Sequence, residues 1–389
     1  MENNFLKNKK IILATHTRLA TGTSEELEKY LKTRSQGLIY IAHPFSYCDN
    51  SRTFVNIYKD GVQLKKIYAP LIKGPDIIYF IKDFIFNLFY ILSFRSKFDI
   101  FIGVDNLNAL SGIILRKLKV VDTVIFYTID YVPRRFKNRL LNSVYHFIDR
   151  YCCYHCNCIW NLSSKMQDAR YKNGVSKTKS VPVIIVPNGS SFCQIKRLPV
   201  SEINRYSIAH MGHLLKKQGV QLIIEVLPEI IKKVPKASLF ILGTGPFEGE
   251  LQAQVKRLNL EDRVKFFGFI EDHSELEKIL TKCAIGVATY VTEPDSYSYF
   301  ADPGKVKTYI ACGLPVVITR VPDIAREIEA NKAGFAIEYD PQDLKNTLLR
   351  LLCDDKLYEE YRSNAINFAS KFDWTEIFDT AFKELKIGS

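Results

Sequence analysis

Three sets of residues have the types and spacing to do chemistry. Ala301-Asp-Pro-Gly-Lys-Val-Lys-Thr308 is a turn that runs into a helix. Free N–H groups and the dipole at such a start favour an anion. Pro303 suits the first turn, and Gly304 lets a ligand approach the backbone closely. Lys305 and Lys307 add positive charge, but residues two apart diverge on a helix, so the pair cannot share one face. Gly212 in Met211-Gly-His-Leu214, and Gly243 with Gly245 in Leu242-Gly-Thr-Gly-Pro246, follow short apolar runs. They are either plain turn glycines or the lining of the same anion site. His16, His43 and Asp130 follow three more such runs. An imidazole or carboxylate at a strand's carboxyl end can hold or deprotonate a hydroxyl. Asp130 reads equally well as a helix cap or turn residue.

Short apolar runs alternate with amphipathic segments, which predicts a doubly wound parallel α/β sheet. In the first half, strands are expected at Ile11–Thr15, Leu38–Ala42, Ile100–Gly103, Val124–Tyr127, Cys158–Leu162 and Ile184–Val186. Thr23 and Glu26 have capping-box spacing for a helix to about Lys32. Further helices fit Asn108–Leu118 and Arg139–His155. Pro187-Asn-Gly189 is a turn signal, and the alternation restarts at Ser207. The expected domains are therefore 1–189 and 190–371, each offering strand ends to a cleft. Residues 372–389 form a terminal amphipathic helix.

A chain of 389 residues suits two domains of about 150–200 residues. With 47% hydrophobic and 25% charged residues it is neither disordered, collagenous nor a coiled coil. The net charge of +12 is unevenly placed. Residues 1–185 hold 28 Lys+Arg against 14 Asp+Glu, and the remainder hold 26 against 28. A basic half points to nucleic acid or an anionic membrane face. Nine cysteines and no secretory pattern in Met1–Lys10 suggest a reducing cytosol. Cys152, Cys153, Cys156 and Cys158 allow a zinc reading, but no second ligand pair has finger-like spacing, so buried thiols are expected. Ile77–Phe94 is apolar but broken by Lys82, Asp83 and Asn87, a poor spanning helix. It either packs on a sheet or lies on a bilayer with Phe84, Phe86, Phe89, Tyr90 and Phe94 inserted.

Met211-Gly-His-Leu214, Leu242-Gly-Thr-Gly-Pro246, Val264-Lys-Phe-Phe-Gly268 and the block Ala301–Val317 together resemble the donor-binding domain of group 1 (family 4-like) glycosyltransferases. The resemblance runs from about Ile208 to Trp374. It implies the GT-B fold, two Rossmann-like domains facing a cleft, with the acceptor on the first and a nucleotide-diphosphate sugar on the second. It implies that Lys305 meets the phosphates, that Gly212, Gly243 and Gly245 line the nucleotide, and that Phe269 and Ile270 meet the base. Asp302, Pro303 and Gly304 form the phosphate loop. The Gly-Arg-Leu-x-x-x-Lys-Gly pattern of such enzymes reads here Gly212-His213-Leu214-Leu215-Lys216-Lys217-Gln218-Gly219, so His213 replaces the Arg and Gln218 the Lys. The paired glutamates become Phe300 and Thr308, leaving Thr308 a hydroxyl for the ribose. The Asp-Pro-x-Lys loop is similar to exopolysaccharide-type transferases. In similar enzymes the loop carrying Asp130 faces the donor sugar, and the last helix, anchored by Trp374, crosses back to the first domain.

The expected function is sugar transfer from a nucleotide-diphosphate sugar to a saccharide or lipid-linked acceptor in cell-envelope or exopolysaccharide synthesis. Asp130 serves as general base under inversion or as a hydroxyl ligand under retention, with His16 and His43 beside it. No Asp-x-Asp follows a strand, so neither a catalytic metal nor a cofactor is expected. A binding-only degenerate transferase, a sugar-nucleotide epimerase and a nucleic-acid or other nucleotide enzyme are the alternatives. No nucleic-acid module is recognised. The charge excess, with Lys65, Lys66, Arg134, Arg135, Lys137 and Arg139, instead suggests a peripheral protein on the inner face of the plasma membrane.

Overall fold

A computed structural model describes residues 5–17, 22–48, 50–72, 74–292 and 297–387. The chain divides into one unit of Met1–Pro187 with Thr375–Ser389 and a second of Asn188–Trp374.

The first unit contains β1 (Lys10–Thr17), α1 (Thr23–Arg34), β2 (Gly37–Pro44), β3 (Phe54–Lys59), β4 (Val62–Tyr68), α2 (Asp76–Ser93), β5 (Phe98–Val104), α3 (Asn106–Lys117), β6 (Val121–Thr128), α4 (Arg139–His155), β7 (Cys158–Asn161), α5 (Ser164–Lys172) and β8 (Val183–Ile185). Its eight-stranded sheet has the order β4-β3-β2-β1-β5-β6-β7-β8. β1, β2, β5, β6, β7 and β8 are parallel, and apolar residues such as Ile12, Phe101, Val124 and Ile159 fill its core.

Two local expectations need correction. The N-cap that the capping-box spacing places at Thr23 is Gly22, and Thr23 is already helical. The sheet is also not wholly parallel: β2, β3 and β4 pair antiparallel at one edge. Asp60-Gly61, at φ 48° and 84°, makes the tight turn between β3 and β4. Asp-Gly between extended runs is a strong hairpin signal, but β4 is almost wholly exposed, so no apolar run marked it.

The second unit contains β9 (Ser207–Met211), α6 (Val220–Lys233), β10 (Ser238–Leu242), α7 (Glu248–Arg257), β11 (Val264–Gly268), α8 (His273–Leu280), β12 (Ile285–Ala288), α9 (Tyr297–Phe300), α10 (Gly304–Ala311), β13 (Val316–Thr319), α11 (Ile324–Ala330), β14 (Gly334–Ile337), α12 (Pro341–Cys353) and α13 (Asp355–Ala369). Its six-stranded parallel sheet has the order β11-β10-β9-β12-β13-β14. The order reverses at β9, so a crevice is expected outside the carboxyl ends of β9, β10 and β12.

The last helix, α14 (Trp374–Ile387), packs in the first unit apart from its first residue. Tyr30 hydrogen-bonds Asp379, and Trp160 meets Phe382 edge-on with centroids 5.0 Å apart. Trp374 itself packs against Gly189 of the second unit, where a Cβ would stand 2.7 Å from the indole. Cys152, Cys153 and Cys156 lie buried in the first unit's core.

Helix α2 packs the wrong way round for an ordinary surface helix. Lys82, Asp83 and Asn87 are buried, while Ile77, Ile81, Ile85 and Phe89 are exposed by 48 to 62%. Of the five aromatic residues expected in a bilayer, Phe89 is exposed and Tyr90 is buried in the core. The outward row is therefore mainly isoleucine. Among the described residues, no helix is long and apolar enough to cross a membrane.

Candidate active site

In the second unit, three glycine turns draw the strand ends together. Gly212 N–H donates to the Leu242 carbonyl at 2.8 Å, Leu214 N–H to Thr244 at 2.9 Å, and Gly243 N–H to Gly268 at 2.8 Å. Gly243 has φ 137°, and a Cβ there would stand 2.1 Å from the Gly212 carbonyl oxygen. Gly245 is pressed as closely on Leu214. These glycines are required by backbone contact, whatever else they line.

Lys305 sits in the first turn of α10 and lies over Gly212, where a Cβ would be 3.0 Å from Nζ. Nζ donates to Gln218 Oε1 at 2.8 Å and lies 5.3 Å from the centre of the Tyr290 ring. Among the described residues it has no carboxylate partner. Burial pushes its pKa down to about 7. A cation beside a helix N-terminus, without a counter-ion, is suited to a diphosphate.

The neighbouring residues divide into ligand candidates and supports. Pro303 is the N-cap of α10, and Gly304 is open on its side-chain face apart from Asn188 at 3.9 Å. Asp302 is buried, with its carboxylate held by Lys307 Nζ at 2.9 Å and Asn188 N–H at 2.7 Å. The expectation that Asp302 contacts the donor is corrected: it spends its charge fixing the loop. Thr308 is buried, and its hydroxyl donates to the Gly304 carbonyl of its own helix at 3.3 Å. Phe269 is 67% exposed just beyond β11, and Ile270 is partly buried beside it. His213 is exposed. Gln218 and Tyr290 frame Lys305. Gln218 stands where the resembling pattern has a lysine, whereas nothing in the local sequence marks Tyr290.

The first unit gathers a second site at the carboxyl ends of β1, β2, β5 and β6. His16 Nδ1 hydrogen-bonds Asp105 Oδ2, and Nε2 lies 3.3 Å from Asp83 Oδ2. Burial lowers the imidazole pKa, but the two carboxylates more than offset it and raise the value to about 10. His16 is thus a cation at neutral pH. Asp83 is held well below the usual carboxylate range despite its burial, by His16 and His43. It also accepts from Lys82 and Thr53 at 2.8 and 3.2 Å.

Asp105 caps α3, its Oδ1 accepting from Leu107 and Asn108 N–H at 2.9 and 3.0 Å. Its backbone stands at φ 77° and ψ 169°, a region nearly confined to glycine. Both oxygens are engaged, which holds the strained residue against His16. Nothing in the local sequence paired Asp105 with His16, although its place just past a strand was a usable signal. The buried charge Asp83 was visible as an interruption in an apolar run.

His43 is corrected as a substrate contact. It is fully buried, with Nδ1 3.0 Å from Thr53 Oγ1 and Nε2 3.0 Å from Asn87 Oδ1. It supports Asp83 instead. Asp130 lies at the end of β6 and is paired with Arg135 at 2.9 Å, its side chain 41% exposed. His16, Asp105, Asp130 and Arg135 all line one cavity of about 810 Å³, whose other walls are largely apolar. Among the described residues, no group of three or more His, Cys, Asp or Glu side chains is placed to hold a metal ion.

The two α/β units, one with a largely parallel and one with a wholly parallel sheet, have the GT-B fold. Residues 205–354 match the family "Glycosyl transferases group 1", and that part of the chain is a group 1 glycosyltransferase domain. The particular proteins it is similar to fall in the same class. It is 27% identical over 184 residues to N-acetyl-alpha-D-glucosaminyl L-malate synthase of Bacillus anthracis, covering 44% of this chain and 45% of that one. It is 31% identical over 180 residues to N-acetylgalactosamine-N,N'-diacetylbacillosaminyl-diphospho-undecaprenol 4-alpha-N-acetylgalactosaminyltransferase of Campylobacter jejuni, covering 46% of each. The chain spans less than half the length of these relatives. Anabaena HepE in complex with UDP superposes with TM-score 0.68 at 16% identity, over 97% of this chain and 99% of that one. WaaG, a glycosyltransferase involved in lipopolysaccharide biosynthesis, gives TM-score 0.67 at 15% identity, over 96% and 99%.

Proposed function

We propose that this chain is a nucleotide-sugar-dependent glycosyltransferase of cell-envelope or exopolysaccharide synthesis. Lys305 carries the reading: a partly buried cation without a carboxylate, laid over Gly212 at a helix N-terminus. Such a group stabilises the anion that develops as a nucleoside diphosphate leaves. Phe269 supplies an exposed ring for the base. The HepE complexes with UDP and UDP-glucose make UDP the first nucleotide to test.

The acceptor hydroxyl belongs to the first unit. His16 is already protonated, so it donates hydrogen bonds and organises Asp105. Asp130 is the assigned general base or hydroxyl ligand, because its carboxylate reaches the cavity. Transfer needs no cofactor beyond the donor, and turnover in the presence of a chelator checks that no metal is used. The acceptor is a saccharide or lipid-linked saccharide, met at an anionic membrane face in the cytoplasm through the basic first unit, and no nucleic acid takes part. Arg134, Lys137, Arg139, Lys65 and Lys66 are exposed, as that requires.

The test is a thermal-shift screen of UDP, GDP and dTDP sugars on wild type and Lys305→Ala. One nucleotide stabilises the wild type and loses its effect in the variant. Equal stabilisation of both proteins overturns the phosphate role. A silent sugar-nucleotide-binding subunit is the second reading, favoured by Gln218 and by the burial of Thr308. Measured sugar transfer dismisses it.

A further inference from the structure

We propose that the cavity of the first unit binds the hydrocarbon chain of a lipid-phosphate acceptor, entering between α2 and α4 with its head at His16 and Asp130. This rests on the transferase reading and names the acceptor class.

The argument starts from the composition of the cavity mouth. Ile77 and Ile81 of α2, and Leu141 and Val144 of α4, line the cavity and are also exposed to solvent. An opening onto water is normally rimmed by polar groups, and clustered exposed aliphatics mark a surface that is covered in use. Each helix continues its apolar row beyond the mouth, through Ile85 and Phe89 on α2 and Leu140 and Phe147 on α4. The interior wall is apolar too, with Phe80, Phe84, Leu110 and Ile148.

The polar side chains of the lining are His16, Asp105, Asp130 and Arg135, with Thr17, Thr23, Ser24, Glu25 and Asn106. His16 Nε2 is buried and makes no hydrogen bond of good geometry, although Asp83 lies nearby. A ligand matching this lining has a long apolar part and a small anionic or hydroxylic head. Arg135 and the exposed Arg134, Lys137 and Arg139 supply the charge for a phosphate at the head. A volume of about 810 Å³ is that of a small-molecule site rather than a seat for a folded partner.

The reversed packing of α2 supports the same occupant. Its polar residues are committed inward: Lys82 and Asp83 to each other, and Asn87 to Asn108 at 2.7 Å. The helix can therefore turn its isoleucines outward without exposing a charge to a lipid chain.

The probes are farnesyl phosphate and dodecyl phosphate, titrated below their micelle concentrations into the full chain by calorimetry. Inorganic phosphate is the head-only control, and UDP is titrated in parallel. Both lipids are expected to bind at least ~100-fold more tightly than inorganic phosphate, the tighter of them naming an isoprenoid or a straight-chain source. Ile81→Asp and Val144→Asp sit at exposed positions that tolerate a charge. Each should weaken lipid binding by ~10-fold or more while UDP binding and Tm stay unchanged. Lipid binding no tighter than phosphate, or unmoved by both substitutions, overturns the proposal. Binding to phosphatidylglycerol vesicles that depends on Ile81, without binding of either free lipid, also overturns it and leaves a membrane contact alone. Loss of UDP binding by the wild type would instead strike the donor reading.

Discussion

Lys305 makes nucleotide binding a proton-linked event. In the free protein its pKa is pushed down to about 7 by burial beside Gly212 and Tyr290. A diphosphate against Nζ restores the charge, so binding above that pH takes up a proton. At pH 8 roughly one-tenth of the free protein carries the charged lysine, and at pH 9 roughly one-hundredth. The affinity for UDP should therefore fall ~10-fold per unit between pH 7.5 and 9. The terminal phosphate of UDP ionises near 6, below this window, and does not mask the slope. Calorimetry in buffers of different ionisation enthalpy should show close to one proton taken up per UDP at pH 8. Lys305→Arg should flatten the slope, because a guanidinium stays charged throughout. Lys305→Ala should remove both slope and proton uptake and weaken binding at pH 7. A flat profile with no proton uptake in the wild type refutes the depressed lysine. Unchanged affinity in Lys305→Ala refutes its place on the phosphate.

Asp130→Asn should lower kcat by ~10²- to 10⁴-fold with little change in donor KM, and near wild-type kcat removes Asp130 from catalysis. His16 gives a stability signature. Its folded pKa of about 10 lies above the unfolded value of 6.5, so its stabilisation is full below pH 6.5 and lost as pH rises towards 10. The Tm gap between wild type and His16→Gln should be widest near pH 6 and close by pH 10, and a gap independent of pH would count against the His16–Asp105–Asp83 cluster as drawn. Lys305 titrates in both proteins and cancels from that difference. Co-sedimentation with phosphatidylglycerol vesicles at low salt should be reversed by 0.5 M salt, with weaker recovery on neutral vesicles. Salt-independent or lipid-independent recovery denies the basic surface its role.

Much of the second unit was legible from the sequence. Its strands alternate with helices at regular spacing, and the first of them begins at Ser207, where the alternation was expected to restart. Parallel strands buried on both faces are continuous apolar runs, so each announces itself locally. The Asp-Pro-Gly-Lys turn placed Lys305 for the same reason: a loop and helix start are written in adjacent residues. It did not reveal that Asp302 would be consumed by Lys307, which depends on what packs over the turn.

The first unit shows the other side. Local spacing marked His16 and Asp130 as strand-end groups, and Lys82, Asp83 and Asn87 as breaks in an apolar helix. Only tertiary packing decided that Asp83 and Asp105 would meet His16 across 67 and 89 residues of chain. That contact sets the chemistry, because two carboxylates make the prospective hydroxyl ligand a cation. Packing also decided which face of α2 turns inward. Hydropathy alone predicts burial of the isoleucines, but the buried imidazoles and Thr53 at the strand ends favour a polar helix face against them. Periodicity determines where elements lie, since it is a property of neighbouring residues. The protonation of His16 and the exposure of Ile81 depend on groups brought together by the fold.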